Sequence, residues 1–378
     1  MILYFFSIGC FAQTPKYYGY EKADKKILEI PEEQATSVSE ISGYISSNFE
    51  TDQDKVRAAF IWVASNIEYD IDEMYSPNLY ETRDEIIDRA LTTRKGVCSA
   101  YSALFHDICI ELGFRAYEIR GYTKQNGNLS QTGHGWNAVF VGDDWYIFDP
   151  TWGSGFLSRG KYVRSINDSY FMVEPSLIIE SHMPFDYLWQ FLYYPVTEKE
   201  FTQGQIEPQE TKEYFNYPDS LALFDKQDTM ERLIAAVSRI ERNGVEIPMT
   251  FERLKWVKRE IERHKEEETV SLYNSAADDN NVAVTFLNKY VDYWNTQFQP
   301  IKPDEEIQAM LDSITTKLHS AKYTLNRIQY TEGREAIIKE LDSIIDENLS
   351  YVVKLQQWLD IYFSKKQWRR KYMFYRKI

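Results

Sequence analysis

The chain has 378 residues, a formal charge of −15, and 43% hydrophobic and 15% aromatic residues. That is room for two ordinary domains with real cores, and the acidity excludes a general nucleic-acid binder, which needs a basic face. Three cysteines are too few for a disulfide scaffold.

In chain order, Met1 to Ala12 is one apolar run, with polar sequence from Gln13. It is too short to span a membrane, which takes about 20 residues. It reads as the apolar part of a signal peptide cut after Ala12, although no Lys or Arg lies near Met1. The expectation is an exported protein, with lipidation at Cys10, after Ser7-Ile8-Gly9, as a variant. A buried first strand is the structural alternative. Pro31 to Asn48 predicts a helix. Thr51-Asp52-Gln53-Asp54 opens a stronger one, with Val56, Ala59, Phe60, Val63 and Ile67 on one stripe. A short helix around Asp84 to Leu91 leads to Gly96-Val97-Cys98.

Gly96 gives a sharp entry, and Cys98 opens a helix carrying Leu104, Phe105, Ile108 and Leu112. At a helix N-terminus, unpaired N–H groups and the dipole favour negative charge, so a thiol there ionises more easily. Cys109 lies 11 residues on in the same helix, at about 1.5 Å rise per residue too far for a disulfide. Cys98 is therefore expected to be a free thiol, and His106 and Cys109 read as packing residues.

After Gly113 the pattern turns to strands: Phe114 to Tyr122, then a polar loop from Thr123 to Thr132, then Trp136 to Val141 and Trp145 to Phe148 as a hairpin. His134 starts one arm and Asp149 ends the other. Cysteine, histidine and aspartate are the parts of a thiol-nucleophile triad. A two-residue turn at Gly142-Asp143 puts His134 and Asp149 on one sheet face as diagonal neighbours, with Trp136 and Ala138 beside them. A three-residue turn would send Asp149 to the other face unless a bulge restores parity.

Thr151 to Phe201 is mixed and aromatic-rich, and His182 within it reads as structural. A polar linker spans 202–218. Beyond it the apolar residues follow a helical period, as in Met230, Leu233, Ile234, Val237 and Ile240, or Ile307, Leu311, Ile314 and Leu318. Residues 219–378 are predicted to be an all-helical bundle that could carry a partner protein. Asp278-Asp279-Asn280-Asn281 lacks EF-hand spacing and reads as a polar helix start or loop. Lys365 to Ile378 is basic, with interleaved aromatics, and reads as a solvated helix end. No metal motif, phosphate-cradling loop or other cofactor signature is present.

Gly96-Val97-Cys98 through Asp149-Pro150-Thr151-Trp152 resembles the transglutaminase-like core, a papain-like fold. Phe60 to Asp70 is similar to that family's helix before the cysteine loop. Tyr170-Phe171 and Ser181-His182-Met183-Pro184 through Trp189-Gln190 resemble its kyphoscoliosis-peptidase-like bacterial branch. The resemblance covers roughly residues 30–201. It implies an α+β catalytic domain, followed here by the helical part. It also implies Cys98 as nucleophile, His134 as proton carrier, Asp149 as its orienting partner, and a protein or peptide substrate. The Cys98 N–H would supply one oxyanion donor; Trp62 and Tyr69 are candidates for the second, Trp62 also reading as a core residue, and Trp136 flanks the site. Water as acyl acceptor gives a peptidase, an amine gives a crosslinking enzyme, and a non-catalytic interaction module is the third reading.

Overall fold

The computed structural model describes residues 19–76, 78 and 81–375; the segment 1–12 and Cys10 lie outside them. Thr51 starts the helix Asp52–Asn66 by accepting the Asp54 N–H on its side chain. Every residue from Val56 to Ala64 is buried, so this helix is wrapped on all sides rather than along one stripe. It packs on the helix Glu21–Leu28, to which Arg57 is tied: Nε and Nη2 each lie 2.7 Å from an Asp24 carboxylate oxygen, and Nη1 lies 2.7 Å from Asp168. The helix expected from Pro31 begins only at Val38, because Ser37 accepts the Glu40 N–H and caps it there.

Thr82 and Glu85 form a capping box at the start of the helix Arg83–Thr93. The sharp entry to the cysteine loop is made by Arg94, which is left-handed at φ 57°. Gly96 serves another purpose: a Cβ there would sit 2.4 Å from the Ala100 Cβ. Only glycine lets the loop pass beneath the first turn of the helix Cys98–Glu111. Lys95-Gly96 also pairs in parallel with Glu68-Tyr69, which ties Tyr69 to that loop.

The sheet is antiparallel. The long strand Ala116–Gln125 pairs with His134–Val141, which pairs with Asp144–Phe148. On its other edge it pairs with His182–Pro184, and its far end pairs with Asn128–Leu129. The last pairing folds part of the expected polar loop into a hairpin about Asn126-Gly127, both at positive φ, the usual chemistry of a two-residue turn. One sheet face, with Val139, Val141 and Phe148, packs on Phe105 and Ile108 of the Cys98 helix. The other, with Ile119, Trp136, Ala138 and Ile147, packs on Leu188, Phe191 and Leu221. This is a mixed α+β architecture, a cysteine-bearing helix against an antiparallel sheet, followed by helices.

Among the described residues no strand follows Pro184. Two compact units are separated at Val257/Lys258, a point inside the helix Pro248–Asn295 and not in the segment 202–218. That segment is no free linker. Lys212 pairs with Glu200 at 2.7 Å with both side chains nearly buried, and Phe215 packs beside the sheet's second face. The helices Tyr217–Lys226 and Thr229–Asn243 pack on the turn Tyr187–Gln190, and Arg239 holds Asp186 through two bonds of 2.7 and 2.8 Å. Both belong to the first unit, where Leu221 and Phe224 pack beside the sheet's second face and Arg239 is tied to Asp186.

In the second unit, Ile307, Leu311, Ile314 and Leu318 of the helix Asp304–Leu325 pack against Val352, Leu355 and Leu359 of the helix Glu335–Phe363, with Ala283 and Leu287. Asp278 to Asn281 forms neither a loop nor a helix start. It lies inside the helix Pro248–Asn295, where Lys317 and Ser320 satisfy Asp279, and Asn348 bonds Asn280. Near the C-terminus, Arg370 pairs with Asp304 and Phe374 packs on the core, while Lys365 to Arg369, Lys371 and Tyr372 are exposed. No helix among the described residues is long and apolar enough to cross a membrane.

Candidate active site

Cys98 is the first residue of its helix. The preceding Val97 is extended and makes no side-chain cap; its carbonyl takes the Ala100 and Tyr101 N–H groups, and the Cys98 and Ser99 N–H groups stand at the uncapped end beside the thiol. Cys98 is partly exposed and unpaired. His134 opens its strand beside that helix terminus. Burial alone would raise the thiol's pKa, but His134 first, and then the Gly135 N–H, hold it below the ordinary thiol range.

The turn at Gly142-Asp143 has two residues. Val141 pairs with Asp144 and Asn137 with Phe148, and the resulting register brings His134 and Asp149 onto one face. His134 Nε2 lies 2.7 Å from Asp149 Oδ2. Since one ring nitrogen meets the carboxylate, the other is left for the thiol. Burial would lower the His134 pKa, yet the Asp149 charge and hydrogen bond, helped by Cys98, raise it to about 10. Burial would raise the Asp149 pKa, but His134 and then His182 hold it far below the carboxylate range.

Asp149 also caps the short helix Pro150–Ser154. Its Oδ1 accepts the Thr151 and Trp152 N–H groups at 2.9 and 3.0 Å. The second acceptor of the pair, Oδ2, takes a further contact that the sequence reading missed: His182 Nε2 lies 3.0 Å away. Residue 182 is 33 positions beyond Asp149 in sequence and arrives on a strand paired with Thr123.

The family model of the transglutaminase-like superfamily matches residues 39–150. This part of the chain belongs to that superfamily. The chain is 32% identical to the human kyphoscoliosis peptidase over 196 residues, covering 48% of this chain and 29% of that one. The mouse kyphoscoliosis peptidase is 29% identical over 201 residues, covering 50% and 29%. A solved structure of a TGase is 20% identical with a TM-score of 0.25, covering 43% of this chain and 40% of that one. The chain thus spans under a third of the length of these curated relatives.

Within this transglutaminase-like unit, Cys98 and His134 open onto a cleft of about 810 Å³. Tyr69 lines it. Burial first, and the nearby Cys98 charge second, push the Tyr69 phenol upward, so it stays a hydrogen-bond donor. Trp62 does not reach the cleft. It is fully buried in the core, under the Arg94 guanidinium at 5.1 Å, because its helix is covered on every side. Trp136 is also buried and stands behind the site, its ring 5.9 Å from that of His134 and 5.1 Å from that of His182; it backs the histidines and does not line the cleft. His106 is no core residue: it joins a surface ion cluster with Asp107 and Arg83. Cys109 is buried, and burial alone pushes its thiol upward and out of use.

The cleft walls differ. Gln125, Asn126, Asn128 and Ser130 offer amides and a hydroxyl, whereas Phe156, Leu157 and Ile166 are exposed apolar side chains. No Asp, Glu, Lys or Arg lines it among the described residues. A metal ion could in principle be shared by His134, Asp149 and His182, whose ligand atoms lie within 4.8 Å of one another. Those same nitrogens and that oxygen are already bonded to each other.

Proposed function

We propose that the chain is a cysteine acyl enzyme that hydrolyses peptide or amide bonds. The observation that carries this reading is the 2.7 Å bond between His134 and Asp149 at the cleft that Cys98 also lines, with His134 drawing the Cys98 thiol below its ordinary range. The Cys98 thiolate attacks the substrate carbonyl carbon, forming a C–S bond. The oxyanion is met by the Cys98 N–H and by the Tyr69 hydroxyl. His134 gives its proton to the departing amine, the C–N bond breaks, and a thioester remains. His134 then takes a proton from water as the water attacks; the acid leaves and the thiol is restored.

The cleft's uncharged lining supports an extended polypeptide as substrate, with a neutral or apolar segment at the scissile position. The peptidase name of the human and mouse relatives supports water as the acceptor. The apolar segment 1–12 supports action outside the cytoplasm by a mature chain beginning at Gln13; N-terminal sequencing of protein from its native host reads this directly. The second unit is left as the place for a partner protein.

The test uses peptide thioester probes on the full chain. Cys98→Ala and His134→Ala should abolish acylation while retaining the fold. Tyr69→Phe should slow acylation by about 10²–10³, the usual effect of one oxyanion donor, and leave simple thiol alkylation unchanged, since alkylation builds no oxyanion. Leu157→Asp should weaken probes with apolar side chains selectively. Undiminished acylation of the Cys98→Ala protein would rule the mechanism out.

A further inference from the structure

We propose that His182 is a positioning residue: its Nε2–H, donated to Asp149 Oδ2, locks the carboxylate in the orientation that His134 requires. This rests on the acyl-enzyme reading above. Asp149 has two oxygens and four donors. Oδ1 is held by the Thr151 and Trp152 N–H groups, whereas Oδ2 is shared by His134 at 2.7 Å and His182 at 3.0 Å. Backbone amides fix one end of the carboxylate. Among the described residues only the two imidazoles are hydrogen-bonded to the other, and His134 must be free to change its protonation during turnover. His182 is the donor that stays.

The surroundings set its form. His182 is buried between the rings of Trp152 at 4.7 Å and Trp136 at 5.1 Å. Burial keeps its pKa below the ordinary histidine value despite Asp149, so it is neutral. The Asp149 carboxylate can only accept, so the neutral ring facing it at 3.0 Å carries its proton on Nε2, and Nδ1, 2.8 Å from the Ser181 hydroxyl, is left as the acceptor. The ionisable groups that bear on this cluster are Cys98, His134, Tyr69 and Tyr170. Of these, His134 alone is hydrogen-bonded to Oδ2.

If His182 fixes Oδ2, removing its donor weakens the His134–Asp149 pair and with it the thiolate of Cys98. The readout is the rate of Cys98 alkylation by iodoacetamide in the full chain, followed by mass spectrometry across about pH 5 to 9, the range spanned by activated and ordinary thiols. His182→Phe keeps the volume and removes the donor. Its alkylation midpoint should rise by about one pH unit, a tenfold loss of rate at acidic pH. His182→Gln retains an amide N–H and should stay within about twofold of wild type. A wild-type protein alkylated like an ordinary thiol would defeat the acyl-enzyme reading itself. A low wild-type midpoint that is unchanged in folded His182→Phe would overturn the role of His182 alone. If His182→Phe does not fold, nitrogen-15 NMR of wild-type histidines decides: His182 should be neutral with its proton on Nε2, and an Nδ1–H tautomer or an imidazolium at neutral pH would overturn the proposal.

Discussion

Asp149 shows how much one carboxylate can organise. It caps a helix through Oδ1 and holds two imidazoles through Oδ2. The raised His134 pKa has a sign. As a base whose folded pKa lies near 10, above an ordinary value of about 6.5, it contributes stability that is fully present below the ordinary value and lost as pH rises through about 10. Asp149→Asn removes the charge that raises it. The imidazolium should then be lost nearer neutrality, and Cys98 alkylation at neutral pH should fall by about 10²-fold, the low end of general acid–base effects. A pH–alkylation profile of that variant equal to wild type would remove Asp149 from the site. The three residues Cys98, His134 and Asp149 were legible because each sits where an element starts or ends. His182 was not, because nothing in its local sequence says which strand it will join; only the pairing with Thr123 delivers it.

At the scale of elements, the close approach of three strands depends on Gly121. A Cβ there would lie 2.1 Å from the Met183 carbonyl oxygen and 2.5 Å from Cη2 of Trp136. Gly121→Ala must therefore push apart the strands bearing His134 and His182, which flank it on opposite edges. The expected cost is at least the roughly 1–3 kcal/mol of ordinary overpacking, read as a lower melting temperature together with slowed Cys98 alkylation. The hairpin register was readable from Gly142-Asp143, since strand alternation allows few choices. The second hairpin, about Asn126-Gly127, was hidden in a polar stretch although its turn pair is a strong signal. The Asp278–Asn281 run misled for the opposite reason. Its polarity is satisfied by neighbouring helices, so it does not interrupt the helix Pro248–Asn295.

For the whole molecule, periodicity revealed the helices but not their allegiance. Tyr217–Lys226 and Thr229–Asn243 look like bundle helices in sequence, yet their partners are Asp186 and the aromatic face of the sheet. A core substitution beyond Lys258 should be felt there and not at the site. Leu311→Ala, at a fully buried position, should cost about 2–5 kcal/mol in the helical unit, visible by calorimetry, with Cys98 alkylation unchanged; slowed alkylation would contradict this division of labour.

The Arg57 clamp limits how short a working fragment can be. Arg57 is buried, and Asp24 supplies two of its three carboxylate contacts. Stripping one partner from a buried charge is far worse than never burying it, by about 3–5 kcal/mol. Trimming that stops before Tyr20 keeps the clamp whole. A cut just after Asp24 also discards buried Ala23 and strands the guanidinium in the core. Fragments starting at Gly19 and at Lys25 differ by only six residues, yet the first should express as folded protein and the second should be degraded or insoluble.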